Sequence, residues 1–369
     1  MSLKYRAAVL HEIGAPLAIE QVQGINLSPT DVVVRVQAAG LCHTDLEAID
    51  GSLHYPLPMI LGHEASGIVE HVGSAVTNVR AGDHVILSWN PHCGRCFHCD
   101  RGQPILCETY LSEGPKGVQF DGLSKAALVD GEALCHLMFL GAFAEICIVP
   151  AQQAIPVSKD IPFDLSCLIG CGVMTGVGAA LNVADIQHGD TALVIGCGAV
   201  GLSAIQGALM AGATAVIAVD LDERKLALAA KLGATHTVNA RHVDAVEATR
   251  EATRGRGADV IIECAGNSLT FRQSTEAVRV GGQVIWLGKI DVSKDASFRW
   301  GSLMGEKHLR RSSYGGARPR IDFPFLAQAY LSGKLKLDEL VTRRIKLEEI
   351  NQGFEDLRAG RSIRTVVKL

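Results

Sequence analysis

The chain has 369 residues, more than one compact domain usually holds, so two domains are expected. Hydrophobic residues make up 48%, charged residues 20%, and the formal net charge is −4, a globular balance with no basic excess to attract nucleic acid or an anionic membrane. No run reaches the roughly 18 apolar residues of a membrane span, and the first ten residues carry no leader pattern, so a cytoplasmic location is expected.

In chain order, residues 31–38, 67–72 and 84–87 are short, β-branched segments broken by Gly, Pro and Asp. They read as strands of an irregular, mostly β region. A cysteine-rich lobe follows. Cys93-x-x-Cys96-x-x-Cys99 and then Cys107 place four of the 11 cysteines within 15 residues. In a reducing compartment such thiols are metal ligands before they are disulfides. Four soft ligands with no open position suit a structural zinc. An iron–sulfur cluster is the competing reading. A nucleic-acid zinc finger is disfavoured, because the lobe carries only Arg95 and Arg101 and no basic stripe.

After about residue 172 the texture changes. Strand patterns at 191–196, 215–220, 259–264 and 283–287 alternate with helical patterns at 200–212, 223–232 and 268–280. That alternation predicts an α/β fold with a doubly wound parallel sheet. Two more helices are expected at 323–335 and 347–359, and a last strand at 365–368 that returns to the first domain.

Gly196-Cys-Gly198-Ala-Val-Gly201 is a G-x-G-x-x-G loop between a strand and a helix. The first glycine permits the turn, the second lets a pyrophosphate approach the backbone, and the third lets the helix pack on the strand. The next strand ends at Asp220, 19 residues after Gly201. A carboxylate there accepts the adenosine ribose hydroxyls and repels a 2′-phosphate, which favours NAD over NADP. Cys197, inside the loop, reads as a small filler.

Cys42, His63 and Cys171 are dispersed candidates, each weak alone. Their settings are Gly40-Leu-Cys-His-Thr-Asp45, Gly62-His-Glu-Ala-Ser-Gly67 and Gly170-Cys-Gly172. With the spacing of the four-cysteine lobe, Gly62-His63-Glu64-x-x-Gly67 and the later Gly73, Val76, Gly82-Asp83 and Val85 resemble the zinc-containing medium-chain alcohol dehydrogenases over essentially the whole chain. The texture is closest to their class III-like bacterial branch. The resemblance implies a GroES-like catalytic domain (1–172 and 314–369) and a Rossmann NAD-binding domain (173–313).

It also implies a catalytic zinc on Cys42, His63 and Cys171, besides the structural zinc on Cys93, Cys96, Cys99 and Cys107. Two cysteines and a histidine are the ligand set the general rules of zinc chemistry quote for alcohol dehydrogenase. Glu64 matches an acidic neighbour of the His ligand, acting behind it or as an alternate ligand. Asp45 matches the carboxylate that orients His63. Thr44 matches the hydroxyl that takes the alcohol proton. Where relatives end that relay with His, this chain has Glu47. His43 stands where some members place Arg against the pyrophosphate. Thr175 matches a residue near the nicotinamide, Lys225 a cation near the adenosine ribose, and Arg364 a pyrophosphate contact.

Trp89 matches a wall of the substrate pocket and would favour primary alcohols. The lobe 111–141 brings Met138, Phe139 and Leu140, which could line the outer pocket or a subunit contact. Relatives that oxidise S-(hydroxymethyl)glutathione carry an Arg four residues past the last lobe cysteine. Here that position is Leu111. The expected function is therefore NAD-linked, reversible oxidation of a primary, aryl or allylic alcohol to its aldehyde. The glutathione adduct is the alternative substrate, and a non-catalytic zinc- and nucleotide-binding relative the remote one. A homo-oligomer, dimer or tetramer, is expected, with the strand 283–287 near the sheet edge and Trp300 at its contact.

Overall fold

The strand Asp31–Gly40 organises the first part of the molecule. Its valines at 32, 33, 34 and 36 are all buried, which is what a strand covered on both faces requires. It pairs antiparallel with Glu64–Val72, Ile146–Pro150 and Arg364–Lys368. The register sets Gly40 opposite both Glu64 and Val366, so three strand ends meet at one corner.

Residues 3–369 are described in the computed structural model. By its internal contacts the chain divides into Met1–Cys171 with Arg318–Gly333 and Leu340–Leu369, and Gly172–Ala317 with Lys334–Glu339. In the first unit the central sheet runs Ala154–Pro156, His84–Leu87, Glu64–Val72, Asp31–Gly40, Arg364–Lys368, Val341–Lys346. Five short strands (Lys4–Leu10, Ala18–Gly24, Ala126–Leu128, Ala133–His136 and Met59–Ile60) close a small barrel. Tyr5, Val22, Ile60, Leu134, Ile146 and Ile148 fill its core. The GroES-like, irregular β expectation is met here.

The second unit is a six-stranded parallel sheet in the order His236–Asn239, Ala215–Asp220, Thr191–Ile195, Ala258–Glu263, Val278–Trp286, His308–Arg311. In chain order that is 3-2-1-4-5-6, the doubly wound dinucleotide-binding arrangement, with its switch point where Thr191–Ile195 meets Ala258–Glu263. Ile195, Ile217, Val219 and Ile261 are at most 3% exposed. Each stabilises this core by about 1.5–3 kcal/mol through burial.

The structure departs from the sequence reading in four places. The helix expected over 268–280 stops at Ala277, because the β-branched Val278 and Val280 already belong to the next strand. The strand 283–287 is near the sheet edge as expected, but an edge strand absent from the sequence reading, His308–Arg311, lies outside it. The helix expected at 323–335 runs Pro319–Leu331, with proline in its first turn, where the missing N–H costs nothing. Residues 334–339, assigned to the catalytic domain by the sequence reading, pack with the parallel-sheet unit. There the Gln206 amide brackets the Lys336 backbone at 2.7 and 3.0 Å, and Lys231 pairs with Glu339 at 3.5 Å. Among the described residues no single helix is long and apolar enough to cross a membrane.

Candidate active site

The corner where Gly40, Glu64 and Val366 meet assembles the first cluster. Cys42 lies two residues past Gly40 and His63 one residue before Glu64. Cys171 follows the short helix Cys167–Gly170, where Gly170 lies against the backbone of Ala65 and Leu87. The donor atoms of Cys42, His63, Glu64 and Cys171 all fall within 4.8 Å of one another. His63 Nε2 is buried with no hydrogen-bond partner. Its other ring nitrogen, Nδ1, faces Asp45 Oδ1 at 3.2 Å. That contact assigns the proton to Nδ1 and turns the Nε2 lone pair toward the thiols. The Cys42 thiol is pulled well below its ordinary range by a hydrogen bond from Cys171, and Cys171 is pushed well above it by the same contact. Two thiols sharing a proton beside an imidazole lone pair are the donor set of an open zinc site.

Asp45 is fully buried. Its Oδ2 accepts the Cys42 N–H at 3.0 Å, and its Oδ1 accepts the Gly62 N–H at 3.0 Å as well as facing His63. The carboxylate thus fastens both ligand-bearing segments. Glu64, whose carboxylate is one of the four clustered donors, pairs with Arg364 Nη2 at 3.3 Å, and burial raises its pKa to about 8. A side chain at Gly40 would press on its Oε2 at 2.5 Å, so the glycine makes room for this carboxylate. Arg364 is 5% exposed and also reaches the Leu41 carbonyl at 3.4 Å. The position expected at a pyrophosphate is therefore an internal cation, buried against Glu64.

The helix His43–Ile49 follows Cys42 directly. Thr44 is buried and Glu47 half-buried, three residues apart and so on one face of that helix, while His43 is exposed. Trp89 is 9% exposed. Its ring centroid is 5.9 Å from that of Tyr110, which is 5.5 Å from Phe139, itself 5.0 Å from Phe120. Tyr110 lies within electrostatic reach of Cys171, which places the aromatic row near the metal ligands. Sequence reasoning found Trp89 and Phe139 but missed Tyr110, Tyr55 and Asn90. No motif marks them, because they are collected from two loops and the short helix Glu108–Glu113. Leu111, on the helix Glu108–Glu113, is 57% exposed.

The second cluster is Cys93, Cys96, Cys99 and Cys107, again within 4.8 Å of one another. Backbone N–H groups already point at the sulfurs: Cys93 N–H to Cys107 Sγ at 3.2 Å and Glu108 N–H to Cys96 Sγ at 3.5 Å. Against the cost of burial, hydrogen bonds from Thr109 and the Arg95 backbone bring the Cys93 thiol down to about 6. Donors so arranged favour thiolates, which is what a closed four-sulfur metal site needs.

In the parallel-sheet unit, Gly196 takes φ +93, a left-handed conformation that favours glycine, and a Cβ on Gly201 would collide with the Gly196 carbonyl. Gly198 caps the helix Ala199–Ala211 and borders open space. Asp220 accepts three backbone N–H groups: Cys197 at 2.7 Å, Leu221 at 2.7 Å and Asp222 at 3.0 Å. Lys225 is close enough to draw on both the Cys197 thiol and Asp222. Cys197 is itself buried, with its thiol pushed far up by burial and then by Asp220, so it is a filler and not a nucleophile. Thr175 is half-buried on the helix Gly172–Gly178 of the same unit.

Residues 28–159 match the alcohol dehydrogenase GroES-like domain family, and residues 199–330 the zinc-binding dehydrogenase family. The chain is 38% identical to S-(hydroxymethyl)glutathione dehydrogenase of Saccharomyces cerevisiae, over 99% of this chain and 96% of that protein. It is 37% identical to alcohol dehydrogenase class-3 of Cereibacter sphaeroides, over 99% of this chain and 100% of that protein. The chain belongs to the zinc-containing medium-chain alcohol dehydrogenases, class III-like. The benzyl alcohol dehydrogenase of Acinetobacter calcoaceticus shares this fold, with TM-score 0.94 and 33% identity over 99% of both chains. An alcohol dehydrogenase zinc-binding domain protein from Burkholderia ambifaria aligns with TM-score 0.96 and 36% identity over the full length of both. This alcohol dehydrogenase is thus a zinc- and NAD(P)-dependent oxidoreductase acting on a small alcohol.

Proposed function

We propose that this dehydrogenase oxidises a primary alcohol with an aryl or allylic body to its aldehyde, reversibly, with NAD as hydride acceptor. The observation that carries the reading is the open donor set of Cys42, His63 and Cys171 with an aromatic row near it. Zinc held by those three residues would supply Lewis acidity that lowers the pKa of the alcohol hydroxyl. Thr44 Oγ takes the hydroxyl proton, and the Glu47 carboxylate, one turn along the same helix face, receives it. Asp45 fixes the His63 ring, and Arg364 balances the Glu64 carboxylate. Cys93, Cys96, Cys99 and Cys107 hold a second, structural zinc.

NAD rests on Gly196, Gly198 and Gly201 for its pyrophosphate, with Asp220 and Lys225 at the adenosine ribose and Thr175 toward the nicotinamide. His43, exposed, stands toward the pyrophosphate where some relatives carry Arg, without the forked, permanent charge of a guanidinium. Trp89 narrows the cleft toward primary alcohols. The enzyme works in the cytoplasm as a homodimer or tetramer. Among the described residues His308–Arg311 is paired on one side only, and Trp300 is 79% exposed.

A second reading, oxidation of the S-(hydroxymethyl)glutathione adduct, is favoured by the names of several relatives. The residues speak against it: exposed Leu111 stands between Glu108 and Glu113 and offers no cation to an anionic substrate. The test is an NAD-reduction screen over primary, secondary, aryl and glutathione-conjugated alcohols, with metal analysis. Highest kcat/KM on primary aryl or allylic alcohols and two zinc ions per chain are expected. Selective activity on the glutathione adduct overturns the substrate, and light scattering at monomer mass overturns the assembly.

A further inference from the structure

Two loops and the short helix Glu108–Glu113 contribute polar groups to the aromatic row, and none of these belongs to the metal ligands or the proton path. Asn90 follows Trp89 and is 4% exposed. Its amide stands beside the Tyr110 hydroxyl, yet its Nδ2 is buried with no hydrogen bond of good geometry. Tyr55 lies within electrostatic reach of Tyr110, and its hydroxyl accepts the Met138 N–H. Met138 and Phe139 both hold left-handed backbone, φ 51 and φ 63, to present these groups. Phe139 is itself fully buried.

A slot that only packed an apolar ring would have no use for this trio. A buried amide donor left unmet costs about 1–3 kcal/mol, more than its conversion to an apolar side chain of equal shape would. A ligand oxygen placed against Asn90 Nδ2 and the Tyr110 hydroxyl removes that cost, and an isosteric ligand without the oxygen does not. A site of this kind discriminates by leaving its own polar groups unpaired when the wrong ligand binds.

Resting on the aryl-alcohol reading above, we propose that Asn90 and Tyr110 are specificity-determining residues. They select aryl alcohols whose ring carries a second oxygen, as a hydroxyl or alkoxy substituent, over plain or alkyl-substituted rings. Trp89 and Phe139 supply the ring contact.

The test compares kcat/KM for the three hydroxybenzyl alcohols with kcat/KM for the methylbenzyl alcohols of the same substitution pattern. It is run on the zinc-loaded wild type, Tyr110→Phe and Asn90→Leu. A ring hydroxyl also alters the intrinsic ease of hydride loss, but that effect is common to all three proteins and cancels when their ratios are compared. The wild type is expected to prefer one hydroxybenzyl isomer over its methyl counterpart. Each substitution should lower that preference about tenfold, the value of one neutral hydrogen bond. The double variant should lose less than the product of the two, because both residues serve one ligand oxygen. Ratios unchanged within twofold in both variants overturn the proposal. Should Asn90→Leu fail to fold, Tyr110→Phe, which keeps the ring and its packing, decides alone. Absence of turnover on every aryl alcohol overturns the substrate reading itself. Turnover of methylbenzyl and hydroxybenzyl alcohols with equal ratios in all three proteins overturns only the role of Asn90 and Tyr110.

Discussion

Asp45 is where one buried carboxylate carries both the fold of the site and its metal affinity. Its two oxygens serve three donors: the Cys42 N–H at 3.0 Å, the Gly62 N–H at 3.0 Å and His63 Nδ1 at 3.2 Å. Asp45→Asn keeps the shape and removes one acceptor. With its remaining oxygen turned to Gly62 and His63, the new amide points its hydrogens at the Cys42 N–H, donor against donor. Turned the other way, it strands two donors instead of one. A single stranded buried N–H costs about 1–3 kcal/mol, and it is the backbone of a ligand residue. The variant also loses the negative charge that makes His63 a better base. Loss of such an outer partner typically lowers metal affinity by 10–100-fold, roughly 1.4–2.7 kcal/mol at 1.36 kcal/mol per tenfold. The assay is competition for zinc against a chromogenic chelator, with thermal melting as a control for folding. The variant is expected to release one zinc per chain 10–100-fold more readily while the Cys93–Cys107 zinc stays bound. A folded D45N protein with catalytic-site zinc affinity within twofold of wild type refutes the reasoning.

Glu47→Gln keeps the size of the side chain but cannot accept the relayed proton, so the acidic limb of the kcat–pH profile should shift; an unchanged profile excludes Glu47. Asp220→Ala removes the acceptor and the charge at the ribose, so the NAD-to-NADP ratio of kcat/KM should fall by about tenfold or more, from the loss of charge-assisted hydrogen bonds. An unchanged ratio would place cofactor choice elsewhere. His136 is 4% exposed, and burial together with the nearby Lys125 charge lowers its pKa to about 4 from 6.5. Its Nε2 accepts the Lys125 backbone N–H at 3.2 Å. The unfolded chain therefore binds a proton that the folded chain refuses between pH 6.5 and 4. Stability should fall by about 3 kcal/mol as pH drops through that window and be insensitive to this group above it. His136→Gln should abolish that part of the slope in denaturant titrations, and parallel curves for the two proteins would show that His136 does not carry it. Lys125→Met leaves Asp31 and Asp121 without the ammonium they contact at 2.9 and 2.6 Å, and should cost about 3–5 kcal/mol, the usual loss when one partner of a buried pair is removed.

Local chemistry made part of this molecule readable. A glycine that must adopt positive φ, or whose Cβ would strike a carbonyl, leaves a mark at a fixed place. Gly196 and Gly201 announced the dinucleotide loop for that reason. The four-cysteine lobe was legible because all its ligands lie within 15 residues, where spacing alone constrains geometry. The open site was not legible in that way. Its ligands at 42, 63 and 171 are joined by the pairing of Asp31–Gly40 with Glu64–Val72 and by the short helix before Cys171. Only the family pattern stood in for that long-range register. The missed edge strand has the same origin: His308–Arg311 is too short and too charged to read as a strand until Val278–Trp286 lies beside it.

The groups proposed to set selectivity are a step further from the sequence. Asn90 and Tyr55 sit in loops with no periodicity, Tyr110 sits on the short helix Glu108–Glu113, and only the tertiary fold gives them a common address. The same holds for Lys125, whose 1% exposed ammonium meets Asp31 and Asp121. Lysine in a turn-rich stretch reads as solvated, and nothing local says that two carboxylates will enclose it. Arg364 completes the pattern. By its place in the C-terminal strand it was expected at a cofactor phosphate, yet pairing of Val366 with Gly40 draws it inward to Glu64. A residue's chemical type is local, but its partner is chosen by register. Function in this fold is therefore legible where ligands are consecutive, and hidden where strand pairing has to deliver them.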